Sequence, residues 1–270
     1  MWGFVSMVLQ LAVNGAAGRM GKQIVRATVE DDECELVGAI EAGEHSSIGK
    51  DVGLLAGIEE QNVKISSKLA CSADVLIDFS VPEASMDRAS AAASQDMAVV
   101  IGTTGLSEEQ IRTLRRDIGE RIPALVAPNM GLGMNLMFQI VQKTAEAIAN
   151  RWDVEITEIH HNRKTDAPSG TALKLADIVA DAMDKETSDV TCFGRQGEVG
   201  ERPDDEIGIH AVRAGDVPGT HTVLFGGPGE TIELTHRALD RTVFAQGAIQ
   251  AAKFLAGQPP GFYSMEDVLS

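Results

Sequence analysis

Val8-Leu-Gln-Leu-Ala-Val-Asn-Gly-Ala-Ala-Gly-Arg-Met-Gly21 is a short apolar run that breaks into glycines spaced three apart. A helical pattern through Ile24, Val25 and Val29 follows. Glycine loops of this kind also occur by chance, but strand, glycine turn and helix in that order point to a dinucleotide-binding start. The turn must be tight after a strand, and backbone N–H groups must approach a pyrophosphate at a helix N-terminus. Gly15, Gly18 and Gly21 depart from the commoner Gly-x-Gly-x-x-Gly spacing, but the same physics applies. A second apolar run, Leu36 to Ile40, ends on Glu41, where a carboxylate is placed to accept hydrogen bonds from ribose hydroxyls. Two bland readings stand beside these: Glu41 as a solvated strand end, and Arg19 as a surface residue instead of a pyrophosphate contact. Ala42 follows Glu41, so no arginine awaits a 2′-phosphate there, and NADH is expected to serve at least as well as NADPH.

Outward from this start, Val75 to Phe79, Ala98 to Ile101 and Ala124 to Ala127 repeat the short apolar run. Pro82 is expected to open one intervening helix, and Ser107-Glu-Glu-Gln110 reads as a capping box for another. Apolar runs alternating with helices indicate a parallel sheet covered on both faces. Gly102-Thr-Thr-Gly105 and Ala127-Pro-Asn129 close two of these runs, and turns at the carboxyl ends of parallel strands line a ligand crevice. The first is expected to hold the nicotinamide carboxamide; the alternative is a tight turn with two surface threonines.

After Asn129 the rhythm changes. A long helix is expected from about Asn135 to Asn150, then a strand from Val154 to Ile159, then a helix from Gly170 to Met183 capped by Ser169. Three strand-like segments, Ile207 to Arg213, Thr220 to Phe225 and Thr231 to Thr235, follow with no helix between them and are expected to be antiparallel. A tail helix from Thr242 to Leu255 is expected to rejoin the first domain. The domains are therefore read as 1–130 completed by 239–270, and 131–238.

The bulk numbers constrain partners. With 270 residues, 44% hydrophobic and 23% charged, the chain has the make-up of a globular protein. A formal net charge of -17 argues against nucleic acid and anionic membrane as partners. No apolar run approaches the roughly 20 residues that span a bilayer. Three widely spaced cysteines without a Cys-x-x-Cys pair suggest reduced thiols and a cytoplasmic location. Met7 is read as the natural start, with Met1 to Ser6 as an extension.

The chemistry concentrates in Glu158-Ile-His-His-Asn-Arg-Lys-Thr-Asp-Ala-Pro-Ser-Gly-Thr171. His160, His161, Arg163 and Lys164 make a dense set of proton donors in an acidic chain. Ser169-Gly-Thr171 opens a helix, whose unpaired N–H groups and dipole suit a carboxylate. Asp166 is placed to orient a basic neighbour. Against this, adjacent strand residues face opposite ways, so at most one histidine faces a ligand unless the chain has already turned. Ser169 has a plain reading too, as a helix cap only. A zinc site from His160 and His161 lacks further ligands at suitable spacing.

This run resembles the signature of the dihydrodipicolinate reductase family, Glu, two residues, His-x-x-x-Lys-x-Asp-x-Pro-Ser-Gly-Thr-Ala. Gly15 to Gly21, Asp78-Phe-Ser80, Gly102 to Gly105, Ala127 to Asn129, Val212 to Asp216 and Phe244 to Ala248 resemble that family's other motifs, in its order. The resemblance implies a Rossmann-type dinucleotide-binding domain plus a central α+β domain with an open mixed sheet, which binds substrate and builds a homotetramer. It implies NADH or NADPH as cofactor and a dicarboxylate as substrate. It further implies His160 as acid–base residue and Lys164 as proton donor near the substrate nitrogen. His161, Ser169, Gly170 and Thr171 would hold substrate carboxylate. Gly15, Gly18, Arg19, Met20, Gly21 and Glu41 would hold the cofactor, with Gly102, Thr103, Thr104, Ala127, Pro128 and Asn129 at its nicotinamide end. One departure is Gly131, which stands where the family often has serine and is expected to loosen the start of the next helix. Two other readings remain: a dehydrogenase for another small dicarboxylate or amino acid, and a nucleotide-sensing protein without chemistry.

Overall fold

The computed structural model describes residues 8–270, so the expected start at Met7 and the extension before it lie outside the described residues. The chain forms two compact units, one of residues up to Leu132 together with Arg241–Ser270, the other of Gly133–Asp240. In chain order the first unit holds β1 (Leu9–Asn14), α1 (Arg19–Val29), β2 (Cys34–Ile40), α2 (Val52–Ala56), β3 (Ile65–Ser66), β4 (Val75–Asp78), α3 (Pro82–Ala93), β5 (Ala98–Ile101), α4 (Glu108–Asp117) and β6 (Pro123–Val126). The helix α5 (Leu132–Ile148) leads into β7 (Asp153–His160), α6 (Gly170–Ala182), α7 (Thr187–Val190), β8 (Thr191–Phe193), β9 (Ile207–Arg213), β10 (Gly219–Gly227) and β11 (Glu230–Ala238). Then α8 (Thr242–Leu255), β12 (Gly261–Tyr263) and α9 (Met265–Val268) complete the first unit.

The first unit carries a seven-stranded parallel sheet in the order β12-β6-β5-β4-β1-β2-β3. From β3 to β6 this is the doubly wound order in which the chain reverses direction beside β1, where nucleotides bind. Strands β4 and β5 are buried at every residue, as a sheet covered on both faces requires. Helix α1 buries Gly21, Ile24, Val25 and Thr28 against it, and the buried Thr28 hydroxyl donates to the Ile24 carbonyl at 2.8 Å. Pro82 stands in the first turn of α3, and Ser107 and Gln110 form a reciprocal capping box at α4, both as expected. Ala245, Ala248, Ile249, Ala252 and Leu255 of α8 join the same core as Leu11, Val13 and Val75.

The second unit has a mixed five-stranded sheet, β11-β10-β7-β9-β8. Strands β10 and β11 pair antiparallel, as expected, but β9 runs parallel to β7 and lies on its far side from β10. The connection from β9 to β10 therefore passes over β7 and is not a hairpin. Helices α5 and α6 share a core with Val154, Ile156, Ile209, Val223 and Phe225 from one face of this sheet. Thr157, Ile159, Thr222 and Leu224 alternate with them and point to the other face, where they stay partly exposed.

That second face is pinned by Glu155. Its carboxylate accepts from Arg195 at 2.6 Å, His210 at 2.7 Å and Arg202 at 3.2 Å, and Arg195 also pairs with Glu206. Burial opposes the charge, but the guanidiniums and His210 outweigh it and hold the carboxyl down to about 2. A folded-state value below the ordinary one means stability that is present above about pH 4.5 and lost as pH falls towards 2. Glu155→Gln should therefore cost on the order of 3 kcal/mol at pH 7 and progressively less below pH ~4. Urea unfolding at pH 7 and pH 3 checks this; an equal loss at both would refute it.

Candidate active site

In the first unit, β1 ends at Asn14 and the chain turns at once. Gly15 has a left-handed φ of +74°, and a Cβ there would stand 2.5 Å from the Phe79 carbonyl oxygen. A Cβ on Gly21 would stand 2.1 Å from the Gly15 carbonyl oxygen and 2.7 Å from the Ala16 Cα. The turn is thus packed backbone on backbone, which only glycine permits. Gly18 is the residue before α1 and has no side-chain cap, Arg19 is exposed, and Met20 packs partly against the core. Glu41, just past β2, accepts the Ala17 N–H at 3.1 Å and the Ala42 N–H at 3.0 Å, so its carboxylate helps to shape the glycine turn.

The ends of β1, β4 and β5 are braced by a buried polar cluster. Asn14 donates to Asp78 and to the Ser80 hydroxyl, each at 3.1 Å. The Thr103 hydroxyl accepts the Ser80 N–H at 2.8 Å and reaches Asp78 at 3.4 Å. Burial pushes the Asp78 carboxyl up, against the hydrogen bonds of Ser80, Ser85, Asn14 and Thr103. The two threonines of the Gly102 turn therefore differ: the Thr103 side chain is committed inward, while Thr104 is exposed beside it. Gly102 lies against the Phe79 ring, where a Cβ would come within 2.1 Å. At the end of β6, Ala127 is buried and Pro128 exposed, and the Asn129 side chain accepts the Gly131 N–H at 2.9 Å. That bond closes a turn just before α5, next to Gly131.

In the second unit, the chemistry gathers at one end of the sheet. Period-two alternation along β7 puts Glu158 and His160 on the same buried face as Val154 and Ile156. Glu158 has no exposed surface. It accepts from His160 Nδ1 at 2.5 Å, from both terminal nitrogens of Arg213 at 2.8 Å, and from the Ser169 N–H at 3.0 Å. Burial opposes ionisation of Glu158, but the Arg213 and His160 bonds outweigh it and hold the carboxyl below its ordinary range. Register places Arg213 beside His160 and His221 beside Glu158. The His160 and His221 rings meet edge to face, 5.1 Å apart. Burial, with His160 alongside, pushes His221 down to about 3, so it stays neutral.

Ser169 is the N-cap of α6, as expected, and its hydroxyl accepts the Ala172 N–H at 3.2 Å, a bond worth ~1 kcal/mol. It does more than cap, because the same oxygen meets His221 Nε2 at 3.1 Å. Lys164 pairs with Asp166 at 2.9 Å, as anticipated for that acid, and Arg163 pairs at the surface with Asp216. Strand β7 ends at His160, and the bond from the Lys164 N–H to the His161 carbonyl shows that the chain has turned there. The opposite-face rule therefore does not bind His161. Gly170 is exposed and Thr171 half-exposed at the start of α6. Among the described residues, no group of three or more His, Cys, Asp or Glu is placed to hold a metal ion.

Sequence reasoning missed Arg213 and His221 and did not assign Glu158 a role. Glu158 had a visible signal, a charge on the buried phase of an otherwise apolar strand. Arg213 stands inside the motif-like run Val212 to Asp216, which marked the place but not the role, and His221, from a strand far along the chain, carries no signal. The arrangement joins an imidazole and a helix start through one buried carboxylate, with an ammonium group on the segment between them, a set of groups that suits acid–base work on an anionic substrate.

Comparison with known proteins agrees along the whole chain. The family model "Dihydrodipicolinate reductase, N-terminus" matches residues 9–130, and "Dihydrodipicolinate reductase, C-terminus" matches residues 133–269. A 4-hydroxy-tetrahydrodipicolinate reductase of Methanopyrus kandleri is 49% identical, over 97% of each chain. One from Geotalea daltonii is 44% identical over 97% of this chain and 99% of its own. A dipicolinate-bound dihydrodipicolinate reductase from Paenisporosarcina sp. TG-14 superposes with a TM-score of 0.77 at 26% identity, covering 98% of this chain and all of that one.

Proposed function

The chain belongs to the dihydrodipicolinate reductase family, and we propose that it reduces 4-hydroxy-tetrahydrodipicolinate to tetrahydrodipicolinate on the diaminopimelate route to lysine. The observation that carries this reading is the His160 ring, held by a buried carboxylate that also grips the start of α6. In this reading the first unit is the dinucleotide-binding domain and the second is the substrate-binding and tetramerisation domain. NADH or NADPH supplies the hydride when bound. Gly15, Gly18, Arg19, Met20, Gly21 and Glu41 hold its adenosine and pyrophosphate. Gly102, Thr103, Thr104, Ala127, Pro128 and Asn129 hold the nicotinamide end, Thr103 through its backbone because its hydroxyl is engaged.

His161, Ser169, Gly170 and Thr171 take the substrate carboxylate at the positive end of α6. Loss of the 4-hydroxyl as water gives a conjugated imine, hydride adds at C4, and a proton completes the resulting enamine. Lys164 directs its ammonium at the ring nitrogen and polarises the imine, while His160 exchanges the proton. The partly exposed face of the five-stranded sheet, with Thr157, Ile159, Thr222 and Leu224, is the surface for a homotetramer; a four-chain mass by light scattering is the expected result. Nothing in the described residues provides a helix that crosses a membrane, and a cytoplasmic location fits the free cysteines.

Glu41 is an anion at the ribose, and Ala42 adds no cation for a 2′-phosphate. We therefore expect kcat/KM for NADH to equal or exceed that for NADPH. The experiment is a coupled assay with substrate made fresh from aspartate semialdehyde and pyruvate, following oxidation of each cofactor. Turnover supports the activity and its absence with both cofactors rejects it; a tenfold or larger preference for NADPH rejects the cofactor reading alone.

A further inference from the structure

We propose that Glu158 is a positioning residue for this reaction, fixing a proton on Nδ1 of His160 so that Nε2 is the atom that exchanges protons with substrate. The proposal rests on the acid–base reading of His160 above. An ionised carboxylate only accepts hydrogen bonds. At 2.5 Å from it, His160 Nδ1 must therefore donate, in the neutral ring as in the cation. The opposite neutral tautomer would set two lone pairs against each other.

Ionisation of Glu158 is itself secured by the fold. A lone carboxylate with no exposed surface would protonate. Here the Arg213 guanidinium spans both oxygens at 2.8 Å from the adjacent strand, and the Ser169 N–H adds a further bond at 3.0 Å. Each oxygen thus accepts two hydrogen bonds, and all four donors converge on one residue. Arg213 is in turn fixed by the Asp166 carbonyl at 2.7 Å, inside the segment that carries Lys164. The carboxylate therefore aligns the His160 ring and the start of α6 together. Gly219 leaves room on the other side: a Cβ there would stand 3.1 Å from His160 Nε2 and crowd the working atom.

The test is Glu158→Gln, which keeps the shape and removes the charge. We expect kcat to fall roughly 10²-fold, as when an orienting acid is removed from a histidine. In the variant the nitrogen-15 shifts of the neutral His160 ring should no longer show a fixed Nδ1 proton, because a carboxamide, unlike an ionised carboxylate, can also donate to Nδ1. A lower kcat with the Nδ1 proton still fixed marks a structural role only and overturns the proposal, as does a variant with both unchanged. His160→Gln separates the two readings: near-wild-type kcat in that variant removes the acid–base reading itself. Should Glu158→Gln not fold, the nitrogen-15 shifts of His160 in the unaltered enzyme still decide. An Nδ1-protonated neutral ring is expected, and an Nε2-protonated one overturns the assignment.

Discussion

Lys164→Ala is expected to lower kcat on the order of 10²–10⁴-fold, with KM changed much less. In the proposed mechanism the ammonium acts on the imine nitrogen as negative charge arrives with the hydride, so its contribution is larger in the transition state than in the bound substrate. The carboxylate contacts assigned to His161, Ser169, Gly170 and Thr171 remain, which is why binding should survive. Asp166, 2.9 Å from the Lys164 nitrogen, is the only ion pair the lysine makes among the described residues, and it is half in solvent. The loss therefore leaves no buried charge behind, and the fold should persist. Steady-state kinetics with saturating cofactor measures the effect. If Lys164→Ala keeps kcat within threefold of wild type, the assigned role is wrong, whatever the family.

The second large effect is expected at Gly21→Ala, which should weaken NADH binding roughly 10²-fold, the upper range of what overpacking costs. The added methyl would lie 2.1 Å from the Gly15 carbonyl oxygen and 2.7 Å from the Ala16 Cα. Neither neighbour is the flexible end of a side chain, so backbone must shift. The segment that shifts is the one assigned above to the pyrophosphate, and Glu41 is tied to it through Ala17. In the proposed reading, a relaxed turn thus misplaces the phosphate donors and the ribose acceptor at once. Fluorescence titration with NADH reads the change directly. A Kd within threefold of wild type would show that the turn can open without cost.

What the sequence made legible follows from how local each rule is. The glycine turn, the Ser107–Gln110 capping box and the Ser169 cap depend on residues within a few positions of one another, and each formed as expected. Boundaries of α5 moved by a turn because apolar residues continue before Asn135, through Leu132 and Met134. The parallel pairing of β9 with β7 was not legible, since three strands without intervening helices look the same whether they form hairpins or cross over. Strand β12 is only three residues after two prolines and gives almost no periodicity. At the site, His160, Lys164 and Ser169 share one run of sequence, but Arg213 stands 55 positions from Glu158, and His221 is 52 from Ser169. No local pattern reports a pair of that kind.

The last residues of the chain belong to the first unit. Helix α8 fills its core and β12 extends its sheet along β6. During synthesis, therefore, the glycine turn and its strands emerge first yet cannot close their core until residues 241–270 have left the ribosome. The unit in between is continuous in sequence and owns its core outright. The part of the protein made first is the part completed last, and the surface awaiting α8 is apolar for that whole interval.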